Sequence, residues 1–87
     1  MKSKLEINQY GTKRWRLPNG DLHREDGPAI EWCNGDKIWF INGIKHREDG
    51  PAVEIYDGFK LWYLNGIYHS EEEYKNKMRL RKLNHIL

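Results

Sequence analysis

Three histidines, His23, His46 and His69, stand 23 residues apart. The first two open the same charged run, His-Arg-Glu-Asp, at 23–26 and 46–49. Imidazoles beside carboxylates are a donor set for zinc or manganese. They are also raw material for general acid–base catalysis. The spacing argues against both. Glu25 and Asp26 sit in nearly the same context as Glu48 and Asp49, so nothing sets one acid apart from another. A residue that returns with each unit serves the unit. His and Arg can bond across neighbouring units, and Asp26 and Asp49 can accept backbone N–H groups in the turn before Gly-Pro. Ser3 and Ser70 are the only serines, and Ser70 reads better as a helix cap than as a nucleophile. Cys33 lies beside a turn in an aromatic strand and reads as a small packed residue. The glycines belong to turns, with no phosphate-binding or dinucleotide fingerprint. The sequence therefore points to no catalytic residue, no metal and no cofactor.

The elements that hold these residues repeat with them. Leu22–Glu31 recurs as Lys45–Glu54, and Gly35–Ile44 recurs as Gly58–Ile67. A degraded copy, Gly11–Gly20, carries one extra residue between its Trp and Asn-Gly, assigned to Pro18. The chain then divides as one domain, 1–87. It has a degenerate first copy at 1–20, full units at 21–43 and 44–66, and a cap with a basic helix at 67–87. Atypical ends are what a stacked repeat needs.

Asn-Gly at 19–20, 34–35, 42–43 and 65–66, and Asp-Gly at 26–27, 49–50 and 57–58, accept the positive φ of tight hairpin turns. Strands are expected at Lys4–Gln9, Lys13–Leu17, Ala29–Cys33, Lys37–Ile41, Ala52–Tyr56 and Lys60–Leu64. The His-Arg-Glu segments should be short strands or extended turns. Alternation puts Ile30, Trp32, Val53 and Ile55 on one side of their strands, and Ile38, Phe40, Leu61 and Tyr63 on one side of theirs. Trp39 and Trp62 face the other way, so the Trp strands are apolar on both faces. A curling sheet, the helix or a partner must cover them. After Ser70 the period changes. Ser70 and Glu73 form a capping box, and a helix should run from about Glu71 to His85. Tyr74, Met78, Leu80, Leu83, Ile86 and Leu87 give it a loose apolar stripe. The expected fold is mostly β with one C-terminal α-helix. It is an antiparallel meander of tandem hairpin repeats of about 23 residues, a twisted single sheet capped by the helix.

Composition narrows the function. A chain of 87 residues buries one modest core and leaves no room for a deep cleft between lobes. The net charge is +2, with ten basic and ten acidic residues before position 70 and five against three after it. The excess positive charge thus lies on the helix. A single cysteine fits a reducing cytoplasm, and neither a signal peptide nor a membrane span is expected. Four Trp, five Tyr and two Phe are a heavy aromatic load, suited to a small core and to interfaces.

The pattern Gly-x-Lys-x-Trp-x-x-Asn-Gly-x-x-His-Arg-x-Asp-Gly-Pro-Ala resembles the MORN-like short β-repeats of bacteriophages and large DNA viruses. The likeness covers residues 11–75. It includes the ending Asn65-Gly66-Ile67-Tyr68-His69-Ser70-Glu71-Glu72-Glu73, where an acidic-started helix follows the last repeat. It implies a binding or scaffold element without catalytic residues. It also implies a viral source, a host protein or nucleoprotein complex as target, and inhibition of a host defence system in the host cytoplasm as the job. The residues expected to meet a partner are Trp15 and Arg16 in the degenerate copy, Trp39 and Trp62 on the doubly apolar strands, Tyr68, and the helix cations Lys75, Arg79, Arg81 and Lys82. Nucleic acid along the basic helix, a homodimer through the apolar sheet, and an oligomeric sponge for a signalling nucleotide are the competing readings.

Overall fold

Turn chemistry sets the hairpins, and hairpins set the sheet. The computed structural model describes residues 2–86, with side chains through Lys82. Nine short strands precede one helix: β1 (Lys4–Ile7), β2 (Lys13–Arg16), β3 (Ile30–Glu31), β4 (Lys37–Ile38), β5 (Phe40–Ile41), β6 (Ile44–Lys45), β7 (Val53–Glu54), β8 (Lys60–Leu64), β9 (Ile67–His69) and α1 (Glu71–Ile86). Seven strands form an antiparallel sheet in the order β1-β2-β3-β4-β7-β8-β9, and β5 and β6 pair as a separate ribbon. Among the described residues no helix is long and apolar enough to cross a membrane.

Two turn geometries alternate. At Asn42-Gly43 and Asn65-Gly66 both residues have positive φ, as a two-residue type I′ hairpin requires. The first copy cannot do this, because proline locks φ negative. There the extra Pro18 opens a longer turn in which only Gly20 has positive φ, and the Gly20 N–H donates to the Leu17 carbonyl at 2.8 Å. The Asp-Gly pairs at 26–27 and 49–50 break the expectation, since neither glycine has a positive φ. They are glycine for space. A Cβ on Gly27 would lie 2.9 Å from Arg24 Cζ, and one on Gly50 would lie 2.9 Å from Arg47 Cζ.

Most strands are shorter than expected, and Lys37–Ile41 is interrupted at Trp39. The cause is a change of partner. Lys37 and Ile38 pair with β3 and β7. Trp39 donates its N–H to the Ala52 carbonyl and accepts from His46 N–H. Phe40 and Ile41 then pair with β6. The strand Lys60–Leu64 changes partners in the same way, from β7 to β9, without a break.

Register gives each face a row, because directly paired residues on antiparallel strands point to the same side. Arg14, Ile30, Ile38, Val53 and Leu61 form one row; Lys13, Glu31, Lys37, Glu54 and Lys60 form the row on the other face. The second row alternates in charge across five strands. The first row, apolar beyond Arg14, supplies the centre of a thin core: Ile30 and Val53 are buried, and Ala29 and Ala52 are wholly enclosed where the chain enters their strands. The molecule is only 18 Å through its shortest axis, so this core is a single layer.

The helix begins as the sequence indicates. The Ser70 Oγ accepts the Glu73 N–H at 3.2 Å, and Glu73 Oε1 accepts the Ser70 N–H at 2.9 Å. That backbone N–H, ahead of the contacts with the Ser70 side chain, holds the Glu73 carboxyl below its ordinary range. Tyr74 is buried, Met78 is half-buried and Leu80 is exposed. Leu83, Ile86 and Leu87, expected on the same stripe, lie outside the residues whose side chains are described.

Candidate functional site

The Trp face is built by a rule that repeats. Trp15 and Trp39 lie on the charged-row side of their strands, and each is covered by an arginine from the following unit. The Arg24 guanidinium lies 3.8 Å from the Trp15 ring centroid, and Arg47 lies 3.8 Å from that of Trp39. Each arginine is held on three further points. Arg24 donates from Nε to Asp26 at 3.0 Å, and from Nη1 to Glu31 at 3.1 Å and to the Pro28 carbonyl at 3.2 Å. Arg47 repeats the set with Asp49 at 2.9 Å, Glu54 at 2.8 Å and the Pro51 carbonyl at 2.9 Å. A planar guanidinium that stacks and forks at once is a task for arginine and not lysine. Asp26 and Asp49, expected to accept turn N–H groups, accept from these arginines instead.

The histidines tie the start of each full unit to its own Asn-Gly turn. His23 Nδ1 accepts the Asn42 N–H at 2.9 Å, and His46 Nδ1 accepts the Asn65 N–H at 2.9 Å. In the neutral ring the proton then belongs on Nε2, which faces Glu25 at 3.4 Å in one copy and Glu48 at 2.9 Å in the other. Arg24 N–H and Arg47 N–H donate to the carbonyls of Phe40 and Tyr63 in the adjoining hairpins. The repeated histidines thus close each unit on itself, and the stacked arginines join one unit to the next.

The rule stops at Trp62. Twenty-three residues beyond Arg47 stands Ser70, and among the described residues no Lys or Arg stacks on Trp62. The helix takes the place of the missing turn. Tyr74 donates its hydroxyl to the Arg47 carbonyl and accepts the Gly50 N–H at 3.2 Å. Burial pushes the Tyr74 phenol above its ordinary value. His69 makes a different pair of contacts. Its Nδ1–H donates to the Ile67 carbonyl at 2.8 Å, and its Nε2 accepts from Lys77 Nζ at 2.8 Å.

Two grooves result. One, of about 940 Å³, runs between the turns at 23–28 and 46–49 over Trp39. The other, of about 1240 Å³, runs between the turn at 48–51 and the helix, over Lys60 and Trp62. The second is lined by five basic and three acidic side chains. Lys75 is paired with Glu71 at 2.8 Å, and Arg81 approaches Glu48 at 3.7 Å.

Of the residues singled out in the sequence, the structure gathers Trp62, Lys75, Arg79, Arg81 and Lys82 around this terminal groove. Trp39 lines the internal groove under its arginine. Trp15 and Arg16 lie at the opposite end, where Arg16 bonds Glu6 at 3.0 Å and the Gly20 carbonyl at 3.0 Å. Tyr68 is exposed on β9 and meets Tyr63 edge-on with centroids 5.9 Å apart. Cys33, expected to be packed, is exposed beside its turn. Tyr74 and Met78, expected on the helix's apolar stripe, and Lys60 also line the groove and were not expected to meet a partner. The capping box could have located Tyr74, because it fixes which helix face meets the last turn. Comparisons with protein families, with curated proteins and with solved structures gave no match to the chain.

Proposed function

We propose that this protein is a non-enzymatic protein-binding module, and that its terminal groove receives an acidic segment of the partner. One observation carries the reading. Trp62 occupies the position at which Trp15 and Trp39 are covered by arginine, yet it floors an open groove with a basic margin. An indole without its stacked cation, beside Arg79 and Lys82, suits an apolar or aromatic anchor flanked by carboxylates. A host protein as the target class, and interference with a defence complex as the outcome, rest on the resemblance to viral repeat proteins.

The test is affinity capture from host lysate with the full chain as bait, run beside Trp62→Ala and the double variant Arg79→Glu, Lys82→Glu. Specific capture that both variants abolish, with far-UV circular dichroism unchanged, supports the site. Capture that survives both places the contact elsewhere. Single-stranded nucleic acid would use the same stacking surface and cations. Binding of RNA or DNA that falls steeply with salt, and is lost in Trp62→Ala, would replace the protein ligand with that one.

A further inference from the structure

The two edges of the seven-stranded sheet are treated differently. Strand β9 leads directly into α1, which packs against β8 and β9. Among the described residues, strand β1 carries no such cover. All four of its residues are exposed, including Leu5 at 47% and Ile7 at 59%. Proteins guard free edges with proline, bulges, covering helices or charge, because a bare edge templates further pairing. Among these β1 has only charge, in Lys4 and Glu6.

Backbone polarity shows what this edge can accept. Trp15 donates its N–H to the Ala29 carbonyl, and its own carbonyl accepts the His23 N–H. Both groups therefore point away from β1. Leu5 is paired with Trp15, so the Leu5 N–H and C=O point outward, away from β2. Alternation sends those of Ser3 and Ile7 outward too, while Lys4 and Glu6 bond inward to β2. The inward bond from Asn8 N–H to the Thr12 carbonyl fits this parity.

We propose that two copies of this chain join edge to edge through β1 about a twofold axis centred on Leu5. In this register Leu5 forms a hydrogen-bonded pair with Leu5 of the second copy, and Ile7 pairs with Ser3. Lys4 of each copy stands opposite Glu6 of the other. The neighbouring registers that keep outward groups facing outward groups are centred on Lys4 or on Glu6. Each sets like charges directly opposite, which is destabilising. Charge complementarity thus selects one register. On one face the Leu5 pair lies between the two Trp15 side chains. On the other, each Glu6, already 3.0 Å from Arg16, gains a lysine. The union joins two seven-stranded sheets into one and leaves the two Trp62 grooves at its far ends. A partner presenting two acidic segments would then be held bivalently.

The proposal is tested by sedimentation equilibrium over a range of concentrations. The wild-type chain is expected to approach twice its 10.5 kDa mass. Leu5→Pro removes an N–H that points away from β2. It is expected to stay monomeric with an unchanged circular dichroism spectrum. Lys4→Glu alone should also be monomeric, and the exchange Lys4→Glu with Glu6→Lys should restore the dimer. A wild-type chain that remains monomeric throughout overturns the proposal. So does a dimer that survives Leu5→Pro, or Lys4→Glu dimerising as the wild type does. Trp62→Ala should leave the dimer intact, which separates this edge from the binding groove.

Discussion

Trp39 and Trp62 are the same residue in consecutive units, and their surroundings differ in one respect. Trp39 is covered by an arginine with three further bonds; Trp62 faces a helix across an open groove. The first arrangement is closed on itself. Its charges are matched within the chain, leaving little for a partner to satisfy. The second keeps the aromatic floor and replaces a self-satisfied turn with a cationic wall. In this array, stability is concentrated where the repeat is kept and opportunity for binding where it ends.

Breaking the closed arrangement should have the largest effect. Arg47→Ala removes a stacked guanidinium from Trp39 and leaves Glu54, about a third exposed, without its partner. A loss of about 2–3 kcal/mol is expected from denaturant unfolding, because the bonds are charge-assisted and partly buried. Arg47→Lys should recover less than half, since an ammonium cannot fork and stack together.

The helix side of the comparison is sharpened by Tyr74→Phe. It strands the Gly50 N–H and the Arg47 carbonyl, at a cost of about 1–2 kcal/mol. A pH dependence accompanies it. The Tyr74 phenol is raised above its ordinary value of 10.0, so the neutral form favours the folded state. Its contribution is full below about pH 10 and is lost as pH rises through the folded value. Phenolate absorbance and far-UV circular dichroism should change together in the wild type. In Tyr74→Phe the circular dichroism step should be missing, while the absorbance change of the other four tyrosines remains.

A smaller effect is expected where a unit closes on its own Asn-Gly turn. His46→Leu removes the acceptor of the Asn65 N–H and should cost about 1 kcal/mol. His46→Asn places an oxygen where Nδ1 was and should restore most of it. Equal losses in both variants would mean that imidazole packing, and not the hydrogen bond, holds the turn.

Much of the architecture was legible because the repeat states it twice. The Asn-Gly turns, the face assignments of Ile30, Ile38, Val53 and Leu61, and the Ser70 cap all follow from local chemistry that a sequence displays. What covers Trp39 was not legible. The answer lies eight residues on, in a turn whose conformation depends on the guanidinium it encloses. Gly27 and Gly50 misled for the same reason: Asp-Gly ordinarily signals backbone geometry, and here it marks room for an arginine. The break at Trp39 was hidden as well, because a change of partner leaves no mark on side-chain alternation. At the candidate site the ingredients were visible as Trp62 and the helix cations. Their meeting in one groove depends on where Tyr74 docks, which is a tertiary fact.

Trp15 and Trp39 each take their arginine from the unit that follows, and this has a consequence for how such a gene changes. A joint depends on the distance between residues and not on where a unit is said to begin. Duplication of any 23 consecutive codons within the full repeats therefore creates another complete joint, wherever the crossover falls. The chain can lengthen or shorten by recombination while the last tryptophan and its helix pass unchanged from one version to the next.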